Sequence, residues 1–210
     1  MRTQSEKKRE AIVQAAQSLF MECGFERTSM SMIAERMRGS KQTLYNYFQS
    51  KEDLLRAVLE YDVGKVADQV SDHFRDAKDL REALISCGII YLEAQLSPSA
   101  IANIRVVSTQ PRDSGFGEHF YDNVLRPAWN RLCDVFEAWM EQGKLKKADP
   151  WLAAMQWKGL VLLDLFESRL LGATTKTSRK QIEAAAEQGA DAFLAIYGVA
   201  PADPKTTTAS

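Results

Sequence analysis

The sequence predicts an all-α fold of about nine helices, three short ones followed by longer ones. Apolar residues recur at helical spacing along most of the chain, and no segment alternates with the period of a β-strand. Helix-capping patterns, in which Ser, Thr or Asp is followed three residues later by Glu, Gln or Asp, recur along it. The 210 residues, 45% of them hydrophobic, are enough to bury a sizeable core.

The first helix is predicted to begin at a capping box formed by Thr3 and Glu6. It should end before Gly24, which suits a left-handed C-cap. Two short apolar patterns follow, and Gly39 with Ser40 between them predicts a turn and then an N-cap. The apolar residues of these three helices are Ile12, Ala15, Ala16, Leu19 and Phe20, then Met30, Ile33, Ala34 and Met37, then Leu44 and Phe48.

Capping patterns also mark the starts of the later helices. Residues 116–142 predict one helix that is bent at Pro127 and closed by Gly143. The last helix should end at Gly198. The caps are Ser50 with Asp53, Asp79 with Glu82, Ser97 before Pro98, Asp149 before Pro150, and Ser178 with Gln181.

Three segments follow from this layout. We expect a first domain over residues 1–50, a second over 51–198 and a disordered tail over 199–210, which is rich in Pro, Ala and Thr. Inside the long helix that joins the two domains, the natural boundary is expected near Gly64, because the basic segment lies before it and the larger apolar faces lie after it.

Several classes of protein are disfavoured by composition. The cysteines Cys23, Cys87 and Cys133 are odd in number and lack a CxxC pair, which argues against a disulfide framework or a metal site and suits a reducing cytosol. Residues 1–10 are charged from the start and do not resemble a signal peptide. The most apolar stretch, residues 151–171, contains four charged residues and predicts a buried helix and no membrane span. A cytoplasmic protein without a cofactor is expected.

One segment is basic although the chain is not. Residues 27–51 contain five Lys or Arg and one Glu, a net charge of +4 in a chain of net charge −1. The second short helix inside this segment has a narrow apolar stripe, Leu44 and Phe48. A helix with so few apolar and so many polar and aromatic side chains suits the major groove of DNA, so residues 28–55 predict a helix-turn-helix.

These residues resemble the DNA-binding region of the tetracycline-repressor (TetR) family of bacterial regulators. The resemblance covers about the first quarter of the chain and implies a DNA-binding domain followed by a helical effector-binding and dimerisation domain. The matching positions are Thr28, Ser29, Met30, Ile33, Ala34, Ser40, Thr43, Leu44, Tyr45, Tyr47, Phe48, Lys51 and Leu54.

Two positions depart from the family pattern. Arg38 and Gly39 stand where the family usually has a glycine and then a hydrophobic residue. Arg38 is therefore expected to add a phosphate contact. Gln42 stands where a glycine is frequent, and a glutamine there can read an adenine edge, worth about 1–3 kcal/mol of discrimination.

The resemblance implies a role for each DNA-facing residue. Thr28, Tyr47 and Lys51 are expected to bind phosphates. The alternative for Tyr45 and Tyr47 is that they are half-buried packing residues. The groove-facing set is Lys41, Gln42, Thr43, Tyr45 and Asn46, and Ser29, Arg38 and Ser40 complete the predicted DNA-binding set.

In the second half of the chain, the resemblance implies how the helices are arranged but assigns few roles to individual residues. It implies a pocket between the middle helices for a hydrophobic or aromatic effector, with Arg105 adding a preference for an anion, and a homodimer built on the last two helices. An intramolecular core is the alternative for both sets. The pocket candidates are Tyr91, Arg105, Phe120, Trp129, Cys133, Phe136 and Trp157, and the dimer candidates are Met155, Leu163, Phe166, Ala185, Ala186, Gly189 and Phe193.

The predicted function is that of a repressor released from a palindromic double-stranded DNA operator by its effector. An enzyme is the second hypothesis, but the two histidines, His73 and His119, lie in no catalytic motif, so no catalysis is expected. A third hypothesis, a helical ligand carrier that has lost DNA binding, stays open because of Arg38 and Gly39. As a repressor, the protein would lie on the bacterial nucleoid when bound to DNA.

Overall fold

A computed structural model describes residues 3–75, 77 and 79–199. Within them the chain is helical apart from turns and one isolated bridge between Leu145 and Gly198, which confirms the all-α prediction. The α-helices are α1 (Gln4–Cys23), α2 (Met30–Arg36), α3 (Lys41–Tyr45), α4 (Lys51–Arg75), α5 (Leu80–Gln95), α6 (Pro98–Thr109), α7 (Phe116–Phe120), α8 (Arg126–Glu141), α9 (Pro150–Leu162), α10 (Leu165–Leu170) and α11 (Arg179–Tyr197).

The predicted caps set the helix starts. Thr3 and Glu6 form a capping box at α1, and Ser178 with Gln181 forms another at α11. Asp149 accepts hydrogen bonds from the first two amides of the Pro-led helix α9. These bonds satisfy amide groups that have no partner inside the helix, which is why local sequence defines the boundaries so well.

Two of the predicted long helices differ in the structure. Residues 116–142 form one continuous rod, but Tyr121–Leu125 winds as a π-helix just before Pro127, which has no amide hydrogen to donate to the preceding turn. Residues 151–171 are broken at Leu163, whose φ of 47° is incompatible with a right-handed helix and separates α9 from α10. The described chain therefore has ten helical rods.

The buried apolar residues form two clusters that meet along α4. The first, the N-terminal cluster, contains the interior of α1, α2, α3 and the first half of α4, together with Phe116, Phe120 and Val124 from the second half of the chain. The second, the C-terminal cluster, contains the end of α4 and the buried faces of α5, α8, α9 and α11. Gly64 lies on α4 between the two clusters, and its Cα faces open space.

The domain limits at residues 50 and 198 stay a prediction. The packing of α4 bears on the first of them. The first half of α4, which the limit at residue 50 assigns to the second domain, packs with the N-terminal cluster. Of the predicted tail 199–210, all but Val199 lies outside the described residues. No single helix among the described residues has the length and apolarity to cross a membrane, although α5 and α6, bent by 60°, meet that test as a pair.

Candidate nucleic-acid interface

The second helix of the predicted helix-turn-helix, α3, is short and is fixed by one cap and two apolar side chains. Its N-cap Ser40 accepts a hydrogen bond from the Thr43 amide at 3.0 Å, and the two hydroxyls lie 2.9 Å apart. Leu44 and Phe48 are buried in the N-terminal cluster. Two apolar anchors and one cap therefore fix the helix while leaving most of its surface outside the core.

The outer surface of α3 carries the predicted groove-facing side chains. Lys41, Gln42, Tyr45 and Asn46 are exposed, and Tyr45, at 47% exposed, leaves about half of its surface accessible to a partner. Gln42 donates a hydrogen bond from Nε2 to Asn46 Oδ1 at 3.2 Å. This bond leaves Gln42 Oε1 as an acceptor and Asn46 Nδ2 as a donor, the pair that an adenine edge requires.

The predicted phosphate contacts Thr28, Tyr47 and Lys51 have different surroundings. Thr28 is 3% exposed and its hydroxyl donates inward, to the carbonyl oxygens of Gly24 at 2.8 Å and Leu19 at 3.3 Å. With its hydrogen used inside the domain, Thr28 stabilises the turn after α1, and we do not retain it as a DNA contact. Tyr47 is half-buried, whereas Ser29 is exposed and caps α2.

The side chain of Lys51 is bonded to the turn after α1, which Thr28 also stabilises. Its Nζ donates to the carbonyl oxygen of Phe25 at 2.8 Å and lies 4.3 Å from the centroid of the Phe25 ring. A second bond, at 3.3 Å, reaches the carbonyl oxygen of Glu26. The ammonium group is half-buried and already partnered, so a phosphate contact by Lys51 would share its three hydrogens between DNA and this turn.

The turn between α2 and α3 explains the unusual Arg38-Gly39 pair. The Arg38 amide donates to Glu35 O and the Gly39 amide to Ala34 O, both at 2.9 Å, which is the Schellman pattern of a helix end. That pattern needs a left-handed residue, and Arg38 supplies it with φ of 52°. Arginine thus occupies the strained position that glycine normally takes, and its side chain is exposed.

The seven predicted pocket residues do not come together as one set. Tyr91, Trp129, Cys133, Phe136 and Trp157 pack in the C-terminal cluster. Phe120 lies in the N-terminal cluster instead. Arg105 is exposed and donates to the carbonyl oxygen of Leu170 at 2.6 Å, so its guanidinium group joins α6 to the end of α10.

Four of the predicted dimer residues are used inside the chain. Ala185, Ala186, Gly189 and Phe193 are buried on α11 against α5 and α9. A Cβ on Gly189 would lie 2.8 Å from Val161 Cγ2, so this glycine permits close packing of the two helices within one subunit. The intramolecular alternative therefore holds for these four, whereas Leu163 is 49% exposed and Met155 and Phe166 are half-buried.

A polar junction that no sequence motif indicates joins α1 and α4 to the second half of the chain. Asp62 on α4 accepts hydrogen bonds from Gln17 on α1 at 2.6 Å and Asn103 on α6 at 3.5 Å. Burial raises the pKa of Asp62 to about 6, against the effects of the Gln17 hydrogen bond and the Lys65 charge. Its partners are 45 and 41 residues away in the chain, so no local pattern could have indicated it.

The raised pKa makes Asp62 a source of pH dependence. A carboxyl whose pKa is higher in the folded state than in the unfolded state contributes stability below about pH 4, which is lost as pH rises through about 6. Asp62→Asn should remove this loss and raise the free energy of unfolding by about 1 kcal/mol at pH 7, after allowance for solvent at a half-buried group. Urea unfolding of both proteins at pH 4 and 7 measures it; an equal difference at both pH values would contradict the shift.

Comparisons with known proteins give the chain's relatives. Residues 82–199 match the model of the AefR-like transcriptional repressor C-terminal domain, and residues 12–58 match that of the bacterial regulatory proteins of the tetR family. An HTH-type transcriptional regulator of Staphylococcus aureus strain USA300 is 35% identical over 79 residues. That match spans 38% of this chain and 40% of the relative's length.

Solved structures of similar fold cover nearly the whole chain. A TetR-family regulator from Mesorhizobium loti MAFF303099 has a TM-score of 0.84 at 25% identity, covering 94% of this chain and 100% of its own. A TetR regulator from Agrobacterium tumefaciens has a TM-score of 0.72 at 26% identity, with 91% and 95% covered. The flavonoid-responsive regulator FrrA has a TM-score of 0.65 at 28% identity, with 96% and 100% covered. With both halves matched by family models, the chain belongs to the TetR family of bacterial DNA-binding transcriptional regulators.

Proposed function

We propose that this regulator is a cytoplasmic homodimeric repressor that binds a near-palindromic operator and is released from it by a small hydrophobic or aromatic effector. One observation carries the DNA-binding part. The exposed face of α3 presents Lys41, Gln42, Tyr45 and Asn46 on a helix that is anchored from below by Leu44 and Phe48. Arg38, Ser29, Ser40, Thr43, Tyr47 and Lys51 complete the proposed contact set.

Selection of bound sequences from a random duplex library tests the proposal. A dimer should enrich a palindrome whose half-sites lie one helical turn apart, roughly 34–36 Å. The affinity should also fall with salt, with a slope of about −0.9 for each phosphate contacted. A lack of enrichment at low salt would favour a ligand carrier that has lost DNA binding.

The Gln42–Asn46 pair should read one base pair in each half-site. Gln42→Ala is expected to relax specificity at that position at a cost of about 1–3 kcal/mol, because the adenine edge loses its bidentate partner. Lys51→Ala is the control, since loss of a phosphate contact weakens binding to all sequences about equally. Repeating the selection with each variant measures both effects, and a Gln42→Ala motif identical to that of the wild type would exclude this readout.

Arg38 is expected to lower the stability of the fold and to raise its affinity for DNA. Arg38→Gly should raise the free energy of unfolding by about 0.5–1 kcal/mol, because glycine adopts the left-handed conformation without strain. The same change removes a phosphate contact and should reduce the salt slope by about 1. Arg38→Ala separates the effects, because it removes the guanidinium group without relieving the strain. Equal melting temperatures of the glycine and alanine variants would argue against strain at this position.

The second copy of the chain should dock on the outer face of α9 and α11. Leu152 and Gly159 lie two turns apart on α9 and are exposed, Leu163 at the break after α9 is 49% exposed, and Ile196 on α11 is 49% exposed. In the family arrangement these helices from two subunits form a four-helix interface. The proposed interface therefore uses the solvent side of α9 and α11 and leaves Phe193 inside each subunit.

Five clustered pocket candidates support an aromatic effector. In the C-terminal cluster the ring of Tyr91 contacts those of Trp129 and Trp157, and Phe136 is joined to Trp157 through the ring of Phe74. FrrA, a structural relative at 28% identity, is described as flavonoid-responsive, which agrees with a planar aromatic ligand. The effector would favour a conformation in which the two recognition helices fit successive grooves poorly, and its preference for that state sets the extent of release.

A further inference from the structure

We propose that Asp62 is a proton-controlled contact between the DNA-binding region, α1–α3, and helix α6, through which acid pH raises operator affinity. This inference rests on the proposed repressor function. Asp62 lies on α4, where the N-terminal cluster gives way to the C-terminal cluster. Its Oδ1 accepts a hydrogen bond from Gln17 Nε2 on α1 at 2.6 Å, and its Oδ2 accepts one from Asn103 Nδ2 on α6 at 3.5 Å. One carboxyl group therefore joins three helices, and we call these three side chains the Asp62 junction.

Helix α6 is held to the rest of the subunit by little apolar surface. Of its 12 residues only Ile101 is buried, and three more apolar side chains are partly buried against the N-terminal cluster. Its polar side chains reach α4 through Asn103 and α10 through Arg105, which donates to the carbonyl oxygen of Leu170 at 2.6 Å. A helix with so small a buried face depends on polar contacts for its position, so a change at Asp62 should displace α6 at low cost.

The groups that face Asp62 compensate only partly for its burial. Burial raises its pKa to about 6, although the Gln17 hydrogen bond and the positive charge of Lys65 on α4 act in the opposite direction. Lys65 is exposed, so water screens its charge. The side chains that reach Asp62 from α1 and α6, Gln17 and Asn103, are uncharged amides. The ionised carboxylate is therefore poorly stabilised while the junction is closed.

Two neighbouring contacts of α4 also contain titratable groups. Gln14 on α1 donates to the hydroxyl of Tyr61 at 3.4 Å. Glu60 lies 3.9 Å from His119 on α7, and the two form an ion pair only when the imidazole is protonated. The His119 and Glu60 side chains are 42% and 45% exposed, so water reaches both of them. This second pair is a separate source of pH dependence, which a variant must distinguish from Asp62.

Protonation keeps the bonds of the Asp62 junction and removes its charge. A protonated carboxyl accepts from Gln17 through one oxygen and donates its O–H to the amide oxygen of Asn103 once that amide has turned over. The closed junction holds the proton more tightly than a carboxyl in water, whose pKa is about 3.9, so acid pH favours closure and neutral pH favours entry of water between α4 and α6. With a pKa of about 6 in the closed state, the ratio of closed to open junctions should rise about fourfold from pH 7.5 to pH 5.5.

A closed junction prepares the subunit for the operator. Helices α2 and α3 pack with α1 in the N-terminal cluster, so the bond from Gln17 to Asp62 acts on the element that carries α3. A palindromic operator requires a fixed distance between the two copies of α3, and a subunit with a loosened junction loses freedom when it binds. Closure before binding removes part of that cost. Proton binding and operator binding should therefore favour each other.

Operator affinity and hydrogen exchange of the full-length protein at pH 7.5 and 5.5 test the inference. With the palindrome obtained by selection, the wild type should bind about two- to fourfold more tightly at pH 5.5. Asp62→Asn is neutral at both pH values and can keep both hydrogen bonds, so it should bind more tightly than the wild type at pH 7.5, and the difference should narrow at pH 5.5. The ratio of the two affinities cancels the pH effects that both proteins share. Protection factors of the α6 amides, corrected for intrinsic exchange, should rise in the wild type from pH 7.5 to pH 5.5 and stay constant in Asp62→Asn.

Asp72→Asn is the matched control, because it removes the same charge from an exposed position of α4, where Asp72 pairs with Arg75. It should keep the wild-type response. His119→Gln removes the second titratable pair, and a response that survives in it but not in Asp62→Asn belongs to Asp62. Equal pH responses of the wild type and Asp62→Asn, or weaker operator binding by Asp62→Asn at pH 7.5, would overturn the inference.

The two readouts separate this inference from the repressor proposal. A palindrome that both proteins bind with the same pH response leaves the repressor proposal standing and overturns the role of Asp62. A lack of any enriched palindrome would contradict the repressor proposal and the effect on operator affinity, whereas α6 protection would still decide whether the proton on Asp62 controls the junction.

Discussion

Phe193→Asp should unfold the C-terminal half of the protein and should not produce folded monomers. Phe193 is fully buried, with its ring centroid 5.0 Å from Phe136 and 4.8 Å from Tyr197. The change removes a core ring, at a cost of about 3–5 kcal/mol, and adds a carboxylate that has no partner in the cluster. Urea unfolding should therefore show a loss of at least about 3 kcal/mol, which is a large part of a typical domain's stability.

Variants on the outer face of the same helix pair give the matched control. Leu152 is 50% exposed, and a Cβ on Gly159 would meet no atom within 4 Å. Leu152→Glu and Gly159→Arg should therefore leave the subunit folded and produce monomers in sedimentation, because they place charge where the second copy is proposed to dock. If the Phe193→Asp protein were monomeric and as stable to urea as the wild type, Phe193 would lie in the dimer interface and not in the core of the subunit.

The parts of the fold that sequence predicted well depend on short-range chemistry. Ser40, Asp149 and Ser178 bond amides within three residues of themselves, so their effect is visible in the sequence. The same is true of the two anchors of α3, Leu44 and Phe48. Spacing alone indicated which face of this helix would be buried, and the exposed face followed.

The parts that sequence could not predict depend on which distant surface a residue meets. Periodicity indicates that Phe120 and Phe193 are buried, but it cannot say whether the partner is the N-terminal cluster, the C-terminal cluster or a second subunit. Gly189 has the same ambiguity, since a small residue permits close approach to any helix. Asp62 gave no signal, because its partners Gln17 and Asn103 lie more than forty residues away.

Phe116→Ala should destabilise the DNA-binding region although Phe116 lies in the second half of the chain. Phe116 is 1% exposed in the N-terminal cluster, and the guanidinium of Arg56 lies 4.9 Å from its ring centroid. Removing the ring should cost about 3–5 kcal/mol and leave a cavity against α4. Arg56 would also lose the ring that covers it, while its Nε is already buried without a hydrogen-bond partner among the residues that the structure describes.

Phe136→Ala is the matched control, because it removes the same ring from the C-terminal cluster, where Phe136 is fully buried. Hydrogen exchange should show reduced protection in α1–α3 for Phe116→Ala and in α5, α8 and α11 for Phe136→Ala, since locally unfolding units follow the packing. Operator affinity should fall more for Phe116→Ala. Equal losses of protection throughout both variants would mean that the two clusters unfold as one unit. Separate losses would mean that α7 belongs energetically to the DNA-binding region, so movement of the α7–α8 rod in response to an effector would act on the recognition helices through this aromatic contact.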